Sequence, residues 1–348
     1  MPGKLTILAA VLVAMLAWAY VVSHPGEGAA SGRGNTVLVW DVQPREVTRI
    51  VFRDGEERVV IEPRWKGNEE TPYLWVTTQN RTARKKSRPA VKNRTKAARK
   101  TAKKDRTEKP QLARKAFKGN RAAEGLFGQL VSLRSPRAIG LLENLKAKDF
   151  GFPAVRRAIE IQTRGREPLI LEVGADTYGK NLFYGHSKTD GKVYLVRKNV
   201  LSRLQKARTS LVDRRLFLLP PAKAERIVIA MAGKSKTLWR LRGGEPGWGA
   251  EAGEAGADPA MLSFVERLGK IRVGEFESRE EKAQMGVTAL DLAVYQAAGG
   301  GATEKLQVFS GQGTTLQARS SHTRTSVRIS RHQLQPLLNE GEKILKAP

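Results

Sequence analysis

The chain has 348 residues, with 62 Lys and Arg against 34 Asp and Glu, a formal net charge of +28 and no cysteine. The missing cysteines exclude a disulfide-stapled fold, thiolate zinc or iron–sulfur sites and a cysteine nucleophile. Length and 40% apolar residues predict two domains, each with its own core, and a pI near 10.6 points to a polyanionic partner.

Residues 1–4, taken as a short cytoplasmic amino terminus, precede an unbroken run from Leu5 through Val11 and Leu16 to Val22, apolar apart from Thr6. Eighteen helical residues reach about 27 Å, enough to cross a hydrocarbon core. Lys4 before the run and no positive charge directly after it favour an N-in, C-out orientation, and Trp18 and Tyr20 sit where an interfacial aromatic belt falls. The run is therefore read as a transmembrane anchor or, since Ala17-Trp18-Ala19 fits a small-x-small cleavage pattern, as a signal segment. Either way the remaining chain is exported. Residues 23–36 form a flexible tether.

Self-similarity divides the rest of the chain into two repeats, 37–209 and 210–348. Strands at 47–53 and 58–62, joined by a glycine turn, match strands at 225–231 and 236–241. Thr48-Arg49-Ile50-Val51-Phe52 lines up with Glu225-Arg226-Ile227-Val228-Ile229 at an offset of 177 residues. Trp75 and Trp248 each come after the hairpin, near a loop. Next comes a helix in each repeat, with Leu126, Leu130 and Leu133 aligned to Met261, Val265 and Leu268, and Gly151 aligned to Gly286, all at an offset of 135. Asp258 as N-cap and Pro259 at the first helical position start the second helix. Further strands are predicted at 157–163, 168–173 and 192–197, and at 290–296, 304–309 and 325–329. Closing helices are predicted at 199–207 and 332–340. The class is α+β with antiparallel sheets.

The change of offset has a source between the first hairpin and the first helix. Residues 81–121 hold eighteen Lys and Arg against Asp105 and Glu108, a charge of +16, with Phe117 the single aromatic. So basic a stretch repels itself and has little to bury, which predicts a disordered insertion in the first repeat. Arg84, Lys85, Lys86, Arg88, Lys92, Arg94, Lys96, Arg99, Lys100, Lys103 and Lys104 are its candidate contacts to an anionic membrane surface or polymer. Without stacking aromatics, binding to nucleic acid would act through phosphates alone.

Catalytic and cofactor motifs fail on inspection. Gly233-Lys234-Ser235 lacks the glycine a phosphate-binding loop needs five residues earlier, where Val228 stands. Gly311-Gln312-Gly313 has Leu316 in place of a third glycine and reads as a hairpin turn. His24, His186, His322 and His332 have no metal-ligand spacing and read as surface histidines. No cofactor, metal or catalytic residue is predicted, and the chain is read as non-enzymatic.

Ser210-Leu211-Val212-Asp213-Arg214-Arg215-Leu216-Phe217, Glu225-Arg226-Ile227-Val228-Ile229, Trp248, Ala257-Asp258-Pro259, Gly185 and Asp190-Gly191-Lys192-Val193-Tyr194-Leu195-Val196 carry a resemblance over 37–340, the insertion excepted. The chain resembles the bacterial domain of unknown function family 4340, single-pass membrane proteins with an exported body. The resemblance implies an inner-membrane accessory protein of an ABC-type export or gliding-motility-associated transporter, bulk outside, with integral-membrane subunits as partners. It supplies no catalytic residues. Asp213 and Arg214, at the join of the repeats, are expected to form an ion pair or turn cap or to contact a partner, as is Trp248. The alternatives are a nucleic-acid-binding protein acting through 81–121 and an exported hydrolase.

Overall fold

The computed structural model describes residues 36–65, 72–81, 112–152, 156–179, 181–241, 247–252, 256–277, 286–295, 303–310 and 313–347. The apolar run at 5–22, nearly all of the tether and the candidate basic contacts Arg84 to Lys104 lie outside the described residues. Among those described, no helix is long and apolar enough to cross a membrane.

In chain order the first part holds β1 (Val37–Asp41), β2 (Val47–Asp54), β3 (Glu57–Arg64), β4 (Tyr73–Arg81), β5 (Leu112–Lys118), α1 (Arg121–Val131), β6 (Ser132–Ser135), β7 (Arg137–Leu141), β8 (Arg157–Thr163), β9 (Leu169–Asp176), β10 (Leu182–Ser187), β11 (Lys192–Arg197), α2 (Lys198–Gln205) and α3 (Ala207–Ser210). The second part holds β12 (Arg226–Met231), β13 (Lys234–Arg240), β14 (Trp248–Gly249), α4 (Pro259–Lys270), β15 (Glu275–Phe276), β16 (Thr288–Tyr295), β17 (Glu304–Phe309), β18 (Thr315–Ser320), β19 (Ser326–Ser330) and α5 (Arg331–Lys346). The fold is mostly sheet with some helices, all ladders antiparallel, as the α+β reading expects.

Beside a two-stranded sheet of β1 and β6, one large sheet runs β5-β4-β3-β2-β8-β9-β10-β11-β7 and the other β14-β13-β12-β16-β17-β18-β19-β15. Set β5 aside and the two orders coincide strand for strand. Alternating burial gives each sheet one inward face, as in β12 and β16. In the first core, Leu126, Phe127 and Leu130 of α1 and Leu201 and Leu204 of α2 cover Ile50, Ile61, Ile159 and Phe183. In the second, Phe264 and Leu268 of α4 and Leu334 and Leu337 of α5 cover Ile227, Ile229, Leu292 and Val308.

The glycine pair shows the likeness at atomic scale. A Cβ on Gly151 would lie 2.7 Å from the Ala175 nitrogen, and one on Gly286 would lie 2.3 Å from the Ser310 oxygen. Ala175 and Ser310 are themselves 135 residues apart, so each glycine admits the same backbone approach at the end of the same strand.

Three expectations are corrected. The interval 81–121 is not one disordered insertion: Arg81 ends β4, 112–118 form β5 paired along β4, and α1 begins at Arg121. The pattern that escaped the charge count is local. Phe117 is buried, and Asn120 caps α1 by accepting from the Ala123 N–H at 3.1 Å. Leu133 is not on the helix with Leu126 and Leu130, because α1 ends at Val131 and Leu133 enters the core from β6. Trp75 is not borne by a loop but is the third residue of β4, and buried.

Candidate functional site

The two large sheets meet along the linker 211–219, the end of β5 and the β18–β19 turn, and there a group of ionisable side chains is buried. The linker is stitched to both sides. Val212 bridges Gly119, Asp213 N–H donates to the Lys118 carbonyl at 2.9 Å, and Arg215 bridges Arg272.

Asp213, only 4% exposed, is the centre of the group. Its Oδ1 accepts from the Arg215 N–H at 3.1 Å, a local turn cap, and from Arg215 Nε at 3.0 Å. Its Oδ2 accepts from the second fork of the same guanidinium at 2.9 Å and from His322 Nε2 at 2.9 Å. A carboxylate only accepts, so Nε2 of His322 donates to Asp213, and Lys118 Nζ lies against the same ring, 3.0 Å from Nδ1 and 3.2 Å from Nε2. Burial alone would raise the Asp213 carboxyl; the bonds from His322 and Arg215 outweigh it and hold the group well below the usual carboxylate range. Burial lowers the Lys118 ammonium to about 8, against the pull of Asp213.

The β18–β19 turn is built to hold His322 in place. Ser320 and Thr323 exchange side-chain and backbone hydrogen bonds, Thr323 Oγ1 also reaches the Thr325 carbonyl, and Arg324 takes a φ of 63°. Arg324 then lies over the Tyr73 ring of the first sheet at 5.4 Å. Beside it the buried Glu304 carboxylate accepts the Leu218 and Leu219 N–H groups at 2.9 to 3.1 Å; burial pushes its pKa up despite these bonds.

Arg214 does not pair with Asp213. Its guanidinium donates to the Val273 and Gly274 carbonyls at 2.9 and 3.0 Å, tying the linker to the second part. Next to it a cleft of about 210 Å³ opens between β5 and β15, lined by Arg114, Lys115, Phe117, Arg208, Arg214, Phe276 and Arg328 among others. Phe276 packs against both cores and meets Trp75 edge-on, ring centroids 6.2 Å apart. Trp248 is elsewhere: buried in the second core, it pairs with Arg240 on β13, and its carbonyl accepts the Asp258 N–H ahead of α4.

The histidine expectation is corrected here. His322 and His186 are each 7% exposed, not surface residues. His186 Nδ1 lies 3.0 Å from Glu172, whose other oxygen holds Lys188, and the ring meets Phe152 edge-on. His332 is exposed and His24 lies outside the described residues. Among the described residues no cluster of three or more His, Asp or Glu is arranged to hold a metal ion.

Reading the sequence singles out Asp213 and Arg214 but misses Lys118, Arg215 and His322. Lys118 is hidden as one of eighteen cations in its stretch, and only Phe117 before it and Gly119-Asn120 after it hint at a strand running into a capped helix. For His322 the pairing with Asp213 spans 109 residues, beyond any local signal.

A family model described as "Domain of unknown function (DUF4340)" matches residues 122–289. The match is narrower than the resemblance over 37–340; it runs from α1 through the linker and α4 into β16, so Asp213 and Arg215 lie within it while Lys118 and His322 lie outside it. No curated protein and no solved structure matches the chain.

Proposed function

We propose, from the match of residues 122–289 to the model of the domain of unknown function family 4340, a non-enzymatic, membrane-anchored accessory protein of the bacterial cell envelope. In this reading residues 5–22 hold it in the cytoplasmic membrane as a single-pass anchor, with the bulk on the periplasmic side. Its two like parts, read as a duplication, bind or brace integral-membrane subunits of an ABC-type export or motility-associated transporter. The resemblance implies that partner class.

The observation that supports a bracing role is the junction. Lys118, His322, Asp213 and Arg215 are spent on one another and on backbone groups. Buried charges that satisfy each other add little net stability against an apolar core, but they favour a single mutual arrangement of the elements that supply them. A fixed spacing between two binding faces is what a brace needs. The basic stretch adds a second attachment: each Lys or Arg near an anionic surface contributes about 1 kcal/mol, so a third of them engaged would hold the segment on lipid headgroups or an acidic envelope polymer.

Affinity capture of the full chain from detergent-solubilised membranes tests location and partner together. Co-purification of transporter subunits is expected, and recovery in the soluble cytosolic fraction overturns the reading. The +16 of residues 81–121 sustains a second reading, phosphate-driven binding of nucleic acid. That reading requires steep salt dependence that survives in the 81–121 peptide and exceeds that of a scrambled peptide.

A further inference from the structure

We propose that the cleft between β5 and β15 is a binding site for a phosphate ester, a ligand class that goes beyond the accessory role. The two acids in its wall are partly engaged: Glu275 pairs with Lys115 and also feels the charges of Arg328 and Arg208, and Glu277 Oε1 accepts from Arg328 Nε at 3.1 Å and from Gln317 at 2.9 Å, while its buried Oε2 has no hydrogen-bond partner. Arg114, Arg208 and Arg214 line the same cleft, and among the described residues none of the three has a carboxylate within ion-pair distance. Three guanidinium groups around one concavity repel each other, and an anion seated among them removes that cost.

Charge and shape select the anion. Guanidinium forks match the oxygens of phosphate, and several of them converging favour a multiply charged oxyanion over a single carboxylate. At about 210 Å³ the cleft falls below the roughly 300–1,000 Å³ of sites for drug-sized ligands. It suits a headgroup. Phe117, Val212 and Phe276 give it an apolar wall, against which the carbon part of an ester can lie, so an ester is preferred to bare phosphate. The cations come from three separate places: Arg114 from β5, Arg208 from α3 and Arg214 from the linker. The site therefore exists only when both sheets and the linker are docked.

Soluble esters and lipid headgroups present the same chemistry, and calorimetry on the full chain at low salt separates them. The probes are sn-glycerol 3-phosphate, inorganic phosphate, and vesicles of phosphatidylglycerol in phosphatidylcholine. Arg114→Gln with Arg208→Gln is compared with a charge-matched control, Lys234→Gln with Lys305→Gln, both exposed on the second sheet. Circular dichroism melts establish that each variant is folded, and Arg208→Lys, which keeps the charge but loses the fork, serves as a milder variant. The expected result is at least tenfold weaker glycerol 3-phosphate binding in the arginine pair, a smaller loss in Arg208→Lys, no change in the control, and weaker binding of inorganic phosphate throughout. A parallel loss on vesicles assigns the ester to lipid; loss on glycerol 3-phosphate alone assigns it to a soluble ester. Equal affinity in wild type and the arginine pair, an equal loss in the control pair, or no wild-type binding overturns the site. Each of these leaves the accessory role standing, because capture of transporter subunits does not depend on the cleft.

Discussion

The two sheets share an eight-strand order and a helix-covered face, yet only the first has a ninth strand, and the two parts meet across it. β5 is the part of the basic stretch nearest α1. It pairs with β4 on one side and, through Lys115, Phe117 and Lys118, faces the second part on the other. The second sheet has two-residue edge strands at both ends, β14 and β15. Repetition explains how each part folds. The departure from repetition explains how they are joined. An interval that looks like foreign sequence by charge alone is split between a segment outside the described residues and a structural strand.

That contrast is testable first by deletion. Removing 82–111 with a short linker is expected to leave the cooperative unfolding transition in place. Removing 81–121 takes away β5, the buried Phe117 and Lys118, and should cost more than the roughly 3–5 kcal/mol of a single core Phe truncation. Equal chemical-denaturation midpoints for the two deletions would return β5 to the status of an insertion.

Next in size is Asp213→Ala, which leaves His322 and Arg215 without their acceptor and should cost about 3–5 kcal/mol by urea unfolding. Because the folded-state carboxyl is held below its ordinary value of 3.8, its contribution is present above that pH and is lost as pH falls below it. Acid unfolding should therefore flatten in the variant.

Gly286→Ala and Gly151→Ala test the likeness of the two parts. Each added methyl meets backbone at the equivalent place, and each should cost about 1–3 kcal/mol. Gly151 is the costlier of the two, because its φ of 78° disfavours any side chain. A neutral result at one glycine alone would show that the parts diverge there.

The last effect is a slope. Between pH 8 and 10.5 the unfolded chain keeps a proton on Lys118 that the folded chain has released, so unfolding free energy rises with pH across that window. Lys118→Met should remove this rise while leaving the fold intact, as read by urea midpoints at pH 7.5 and 10.

Much of the architecture is legible in the sequence because it rests on short-range periodicity. Strands 157–163, 192–197 and 304–309 fall where the alternation predicts them, and Asp258-Pro259 opens α4. β10 and β18 escape such a reading: each carries a polar or small residue at inward positions, Gly185 and Ser187 in one and Ser320 in the other, which blurs the alternation. The helical pattern misleads at Leu133, since a leucine three residues past Leu130 fits a helical face and an inward strand position equally well. The candidate site is half legible. Asp213 and Arg214 stand out at the join of two repeats, but which cation Asp213 takes depends on where the linker runs.

Sequence alone determines the α+β class, the repeating order of elements, the concentration of charge and the family resemblance, because each follows from patterns a few residues long or from a comparison of the chain with itself. Only the tertiary structure decides that Lys118, Arg215 and His322 converge on one buried carboxylate, that Arg114, Arg208 and Arg214 share one cleft, and that part of a polycationic stretch is a strand. The Arg215 bond to Asp213 is local, but β5 pairs with β4 over 31 to 43 positions, and His322 reaches Asp213 and Lys118 over 109 and 204. At such separations it is burial and hydrogen-bond satisfaction, rather than local propensity, that select the partner.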